Sequence, residues 1–376
     1  DAVVLKLFSA VILAAGLSCA AAAQDLPDDV GEAYVAYTQA IEAGDYAAAA
    51  ASARTAWRAA ERGEVDPETT AILADNYAQL ASALGEHVDA GEAYEAAAEL
   101  LTEAGAAGDM VADTWILAAN AALNAGENRL AMRHADAAGD LAESLTGIDP
   151  ARRAGMVFLS RSVHANALWL DGRPLGAGMR AREAMAAAEA EGLAPNARYG
   201  LTAFILGAAH AIELEYDEAA FRLTQAVHHM DSERQGLSVW AQYVRSQLNA
   251  EERLELLARL EAEGLIEQGE AGDIDDAAQD ERPEGWVDAS PRRRQPPDYP
   301  SDAERVGAEG VALIEFAIDE RGRTTDVEVV IAAPYAVFGE ASVEAIERWR
   351  YDPATVNGEA VRRHGMLTQI EYVMAD

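Results

Sequence analysis

Five times between residues 28 and 268 the chain passes through the same kind of tight turn: Gly44-Asp45-Tyr46, Gly85-Glu86-His87, Gly126-Glu127-Asn128, Gly172-Arg173-Pro174 and Leu214-Glu215-Tyr216. The turns begin 41, 41, 46 and 42 residues apart. Each is followed by an alanine-rich stretch with helical periodicity (47–61, 88–102, 130–145, 175–190, 218–230). The last four are also preceded by one (72–84, 115–125, 163–170, 201–214). A helix pair that recurs at a nearly fixed period leaves little choice of architecture. No pair can bury its apolar stripe alone, so neighbours must stack, and small residues let them stack closely. Residues 251–263 read as the helix that closes the stack.

The arrangement resembles tetratricopeptide repeats, with a period longer than the usual value of about 34 residues. The resemblance implies an all-α, TPR-like solenoid over 28–268 whose concave surface suits an extended peptide. The sequence does not name that peptide. From 269 to 295 the composition turns to Gly, Asp, Glu, Gln and Pro, which reads as a linker. Arg292-Arg293-Arg294 is a basic island within it, read as a solvated linker run, the alternative being a patch that steers an acidic partner toward the adjacent docking edge.

Residues 296–376 change period. Ala312, Ile314, Phe316 and Ile318 alternate with other residues after Gly310, as in a half-buried strand. Asp319-Glu320-Arg321-Gly322-Arg323 supplies a turn, and Val327, Val329 and Ile331 form a returning strand. Phe338, Ala341, Ala345, Ile346 and Trp349 recur at helical spacing, and Pro353 is expected to stop that helix. Finally Met366, Thr368, Ile370 and Tyr372 alternate with Leu367, Gln369, Glu371 and Val373. The sum is a small α+β domain of order ββαβ, with little room for a catalytic pocket and an exposed sheet edge to offer another chain.

In order along the chain stand Tyr299-Pro300, Gly310, Asp319 to Gly322, Trp349 to Pro353 with Ala354, Asn357-Gly358 and a last strand. That succession resembles the C-terminal domain of the TonB energy-transducer family. The resemblance implies β-augmentation: the last strand accepts a TonB box, a short extended segment of an outer-membrane receptor, through main-chain hydrogen bonds. Carried over by position, the docking edge is Met366, Leu367, Thr368, Gln369, Ile370, Glu371, Tyr372 and Val373. Flanking contacts fall on Gln295, Pro296, Tyr299 and Pro300. One more residue separates Gln295 from Tyr299 than in the best-known member of the family. Trp349, Tyr351 and Pro353 read as core and helix-stop residues.

At the other end, 7–23 is an uncharged apolar run after Lys6, the only lysine, and ends Ala21-Ala22-Ala23. It reads as a cleavable signal peptide over 1–23, which places the mature chain in the periplasm. An uncleaved inner-membrane anchor is the alternative, and Cys19 lies in a poor lipidation context. No His precedes His87, whereas the family's anchor carries one that works with ExbB and ExbD. Cys19 is the only cysteine, so the mature chain must rely on packing rather than disulfides. The net charge is −36, and residues 291–376 hold 10 Arg against 16 Asp and Glu, so most of the acidity lies upstream. Such a charge repels nucleic acid and anionic lipid. His228-His229 neighbour each other on a helix and point apart, and no phosphate loop or nucleophile elbow occurs. The expectation is therefore a binding protein with no catalytic residue, metal or cofactor. It acts either as an adaptor in TonB-dependent transport or, with its TonB-like domain repurposed, as a periplasmic scaffold in envelope assembly.

Overall fold

The structure, a computed structural model, describes residues 26–63, 65–230, 235–266 and 282–374. The expected signal peptide at 1–23 and the first part of the linker, 269–281, lie outside the described residues. The chain divides into two compact units, Asp1–His164 and Ala165–Asp376.

The first unit holds α1 (Asp28–Ala43), α2 (Tyr46–Arg62), α3 (Pro67–Ala83), α4 (His87–Glu103), α5 (Gly108–Asn124), α6 (Asn128–Ser144) and most of α7 (Pro150–Leu170). Local chemistry sets several starts. The side chain of Asp45 accepts a hydrogen bond from the Ala48 amide at 3.0 Å, and that of Asp66 from the Thr69 amide at 2.9 Å with Pro67 opening the helix. The recurring turns share one closure. The residue after each positive-φ position returns its N–H to a carbonyl five residues back: Asp45 to Ala40 at 2.9 Å, Glu86 to Ala81 at 2.8 Å, Glu127 to Ala122 at 2.9 Å. Helices pack on rows of fully buried alanines such as Ala49, Ala56, Ala74, Ala78 and Ala81. Trp57 and Tyr77 stack at 5.9 Å to fill the space that alanine leaves.

The second unit continues the helices with α8 (Pro174–Ala190), α9 (Ala197–Ile212), α10 (Tyr216–His229), α11 (Gln235–Ser246) and α12 (Ala250–Ala262). The turn closure recurs, Arg173 to Leu168 at 3.0 Å and Glu215 to His210 at 2.9 Å. At the fifth turn Leu214 takes the left-handed conformation, with φ 63°, where the other four turns place glycine. Helices α8 and α9 approach so closely that a Cβ on Gly178 would lie 2.3 Å from that of Ala209.

After these helices come β1 (Trp286–Val287), β2 (Ser290–Arg293), α13 (Ser301–Val306), β3 (Gly310–Ile318), β4 (Thr324–Ala333), α14 (Ala336–Ile346), β5 (Arg350–Asp352), β6 (Ala354–Val356), β7 (Glu359–Val361) and β8 (Arg363–Tyr372). The main sheet runs β4-β3-β8, antiparallel throughout. This is the expected ββαβ core, with Ala312, Ile314, Phe316 and Ile318 buried together with Phe338 and Ile346 of α14. Asp319 organises the hairpin turn by accepting from the Arg321 and Arg323 amides at 3.0 and 2.8 Å.

Two features differ from the sequence reading. The helix ends at Ile346 instead of running to Pro353, because Arg350–Asp352 is taken up as β5, paired with β2. Strands β1 and β2 themselves lie inside the segment read as linker, pairing Trp286 with Val356 and Pro291 with Tyr351. All four residues of β2 are exposed, so no apolar alternation marks it in the sequence.

The compositional boundary near 268 also does not coincide with the division between compact units. In the second unit Glu309 donates to the Gly172 carbonyl at 3.0 Å, and the Tyr335 hydroxyl to the Leu170 carbonyl at 2.7 Å. The sheet face turned away from α14 is covered too: α9 packs on β3, α11 packs on β4, and Val311 and Leu313 are 1% and 0% exposed.

Candidate functional site

Among the described residues strand β8 is an edge strand, paired only with β3, with Gln369 opposite Leu313 and Glu371 opposite Val311. The Gln369 N–H points away from β3 and donates to the Tyr243 hydroxyl at 3.3 Å. Successive amides of a strand face opposite sides, so the amides of Leu367, Gln369 and Glu371 share the outer edge, while those of Thr368 and Ile370 serve β3. Beyond the strand the Met374 amide is held by Glu309 at 3.2 Å.

Beside this edge runs a groove of about 450 Å³. One wall is Arg294, Gln295, Pro296, Pro297, Tyr299 and Trp349, and the other is residues 369–373. The first wall is fixed by aromatic packing and three hydrogen bonds. The Trp349 indole N–H donates to the Gln295 carbonyl at 2.7 Å, the Tyr299 hydroxyl to the Ala308 carbonyl at 2.7 Å, and Arg294 Nε to the Tyr351 hydroxyl at 2.9 Å. The Arg294 guanidinium also lies over the rings of Trp349 and Tyr351 at 5.1 and 5.2 Å. Tyr299 meets Phe338 and Tyr372 edge to face. Burial raises the pKa of the Tyr243, Tyr299, Tyr351 and Tyr372 hydroxyls, so each stays protonated and neutral near pH 7; at Tyr351 the Arg294 charge opposes the shift.

Of the residues expected from sequence, Gln295, Pro296, Tyr299, Gln369, Ile370, Glu371, Tyr372 and Val373 come together around this groove. Met366, Leu367 and Thr368 lie further along β8, opposite Phe316, Glu315 and Ile314, and Pro300 precedes α13. Three lining residues were not anticipated as such. Trp349 is core, at 5% exposure, and also lines the groove. Arg294 belongs to the basic run noted above, and Pro297 follows Pro296. The contact of Tyr243 with the edge has no signal in the sequence, since 126 residues separate it from Gln369.

Two other clusters are explained locally. His228 and His229 meet ring to ring at 4.9 Å, edge to face. At the fifth turn, His210, Glu213 and Glu215 bring potential donor atoms within 4.8 Å of one another. There His210 Nδ1 and Glu215 Oε2 are 2.6 Å apart and share a hydrogen bond, and both glutamates are exposed.

The groove and strand lie in a segment with known relatives. Residues 295–374 match the family described as Gram-negative bacterial TonB protein C-terminal, so this part of the chain is a TonB C-terminal domain. Protein TonB of Pseudomonas aeruginosa is 34% identical over 76 residues, 20% of this chain and 22% of that protein. Protein TonB of Xanthomonas campestris pv. campestris is 32% identical over 73 residues, 19% of this chain and 33% of that protein. The aligned part thus spans between about a fifth and a third of the length of these relatives. The solution structure of the Pseudomonas aeruginosa TonB C-terminal domain matches at 30% identity, covering 24% of this chain and 90% of that one, with a TM-score of 0.22. Among the described residues, no helix is long and apolar enough to cross a membrane.

Proposed function

We propose that this protein is a periplasmic adaptor of TonB-dependent transport, in which the outer edge of β8 receives the TonB box of an outer-membrane receptor as an added strand. The observation that carries the reading is the groove of about 450 Å³ along an edge strand, since it offers outward amides beside a space that side chains of an added strand can enter. Arg294 adds a cationic wall for an acidic residue near the box. The helical repeats serve as the second binding element, for a peptide or protein of their own. The docking residues are Gln295, Pro296 and Tyr299 on one wall and 369–373 on the other.

A second reading, a periplasmic scaffold whose TonB-type domain no longer meets receptors, draws on one observation: the Gln369 amide already has a partner in Tyr243. Proline at an outward amide separates the two. Glu371→Pro removes an N–H from the outer edge without touching the β3 ladder, whereas Glu371→Ala keeps it. With TonB-box peptides titrated against the folded protein, Glu371→Pro is expected to abolish binding and Glu371→Ala to change it by less than about threefold. Equal binding by both variants rules out docking at this edge. No binding to the parent protein leaves the scaffold reading in its place.

A further inference from the structure

The side chain of Gln369 sits in the middle of the proposed docking strand, yet it is 9% exposed and every one of its polar atoms is engaged. Its carbonyl oxygen accepts from the Trp240 indole at 2.7 Å, and its amide nitrogen donates to the Ala211 carbonyl at 3.0 Å and to Glu371 Oε1 at 2.8 Å. Its backbone N–H is held by Tyr243. Two of these partners, Trp240 and Tyr243, stand three residues apart on α11, and Ala211 belongs to α9. Trp240 is fully buried and packs edge to face on Phe204 of α9 at 6.3 Å. The start of α11 is equally tight, because a Cβ on Gly236 would meet the Val330 carbonyl of β4 at 2.5 Å. Helix α11 therefore touches β4, crosses the covered sheet face and reaches the free edge of β8.

We infer that α11 is a built-in competitor for the docking edge: Tyr243 occupies the Gln369 amide that an added strand needs, and the Trp240–Gln369 contact holds it there. This rests on the docking reading given above. An incoming main chain places a carbonyl oxygen where the Tyr243 hydroxyl now sits, so both cannot pair with one N–H. A strand entering from the Val373 end can bond at Glu371, but it cannot pass Gln369 until α11 withdraws. Because coupling between two sites is reciprocal, a strand bound along the whole edge must in turn loosen α11 from the sheet.

The test uses the full chain and fluorescently labelled short TonB-box peptides from outer-membrane receptors, read by anisotropy. Tyr243→Phe deletes only the hydroxyl, and Trp240→Phe removes the indole donor; thermal melts confirm that each variant is folded. Tyr243→Phe is expected to bind about 3- to 10-fold more tightly than the parent, the effect of removing one competing hydrogen bond. Hydrogen exchange at the Gln369 amide, without peptide, is expected to quicken in the same variant. Equal affinity in the parent and both variants overturns the competitor role and leaves docking standing. Weaker binding by Tyr243→Phe overturns it also, since Tyr243 is then a peptide contact. No binding by any of the three proteins overturns docking at β8 and the competitor role with it.

Discussion

Gly126 allows a clean measurement of what the recurring turn requires of the backbone. It has φ 77°, and a Cβ built there meets nothing within 4 Å, so any penalty for a side chain is conformational rather than steric contact with neighbours. Holding an L-residue in the left-handed region costs about 1–2 kcal/mol. A side chain also restricts the unfolded chain, which returns about 0.4–1 kcal/mol. Gly126→Ala should therefore destabilise by about 1 kcal/mol, and Gly126→Asn by less, because Asn tolerates this conformation. Gly126→Val should reach about 2 kcal/mol, its branched Cβ crowding the backbone. Glu127→Ala, next door, removes a side chain that makes no cap hydrogen bond and should stay within about 0.5 kcal/mol. The main-chain bonds of the turn, Gly126 to Leu123 at 3.0 Å and Glu127 to Ala122 at 2.9 Å, are available to all four variants. Urea titration followed by far-UV circular dichroism ranks them, and hydrogen exchange shows whether α5 and α6 are the helices that loosen. Equal costs for Asn and Val, or a Glu127→Ala effect as large as that of Gly126→Val, would refute the backbone argument.

Two further outcomes concern the first unit. His134 is buried against Trp115, with Glu95 3.8 Å from its Nε2, and burial first, then the Arg133 charge, lowers its pKa to about 4. The folded state thus resists a proton that the unfolded chain accepts near pH 6.5. The neutral ring's stabilising share is intact above about pH 6.5 and is lost as pH falls toward 4, a change on the order of 2–3 kcal/mol. His134→Gln should flatten the pH dependence of the urea midpoint across that window; an unchanged slope contradicts the assignment. Arg161, 4% exposed, donates to Asp136, Asp140 and Glu143 at 3.1, 2.8 and 3.0 Å and so ties α6 to α7. Arg161→Met should cost only about 1–2 kcal/mol, because the three carboxylates are exposed and regain water. A loss above about 4 kcal/mol in the same titration would mean that these acids are not free to resolvate.

What the sequence reveals here depends on range. The repeat turns are legible because each is a local demand, a left-handed residue closing one helix and starting the next; even Leu214 was recognisable from the spacing of its neighbours. Strand β3 is legible because Ala312, Ile314, Phe316 and Ile318 alternate, and strand β8 because Met366, Thr368, Ile370 and Tyr372 alternate and follow motifs of a known family. Strand β2 is not, since Ser290 to Arg293 are exposed and owe their extended form to pairing with β5. The grip of Trp240, Tyr243 and Ala211 on Gln369 spans 126 to 158 residues, and none of these side chains carries a pattern that points to its partner. The same long-range packing explains why the compact units divide at His164 rather than where composition changes.

Strand β3 lies sandwiched, with Ile314 and Phe316 under α14 and Val311 and Leu313 under the helices of the preceding repeats. The C-terminal segment is therefore not a cassette that can be clipped out at residue 296 and studied alone. Cutting there strips the roof from one side of the sheet and leaves a naked greasy surface in water, and two such fragments would be expected to hide it against each other. A dimer of the excised piece would then be a scar of the cut. For the intact chain, the same sandwich means that one side of the sheet is covered by helices the ribosome has already made.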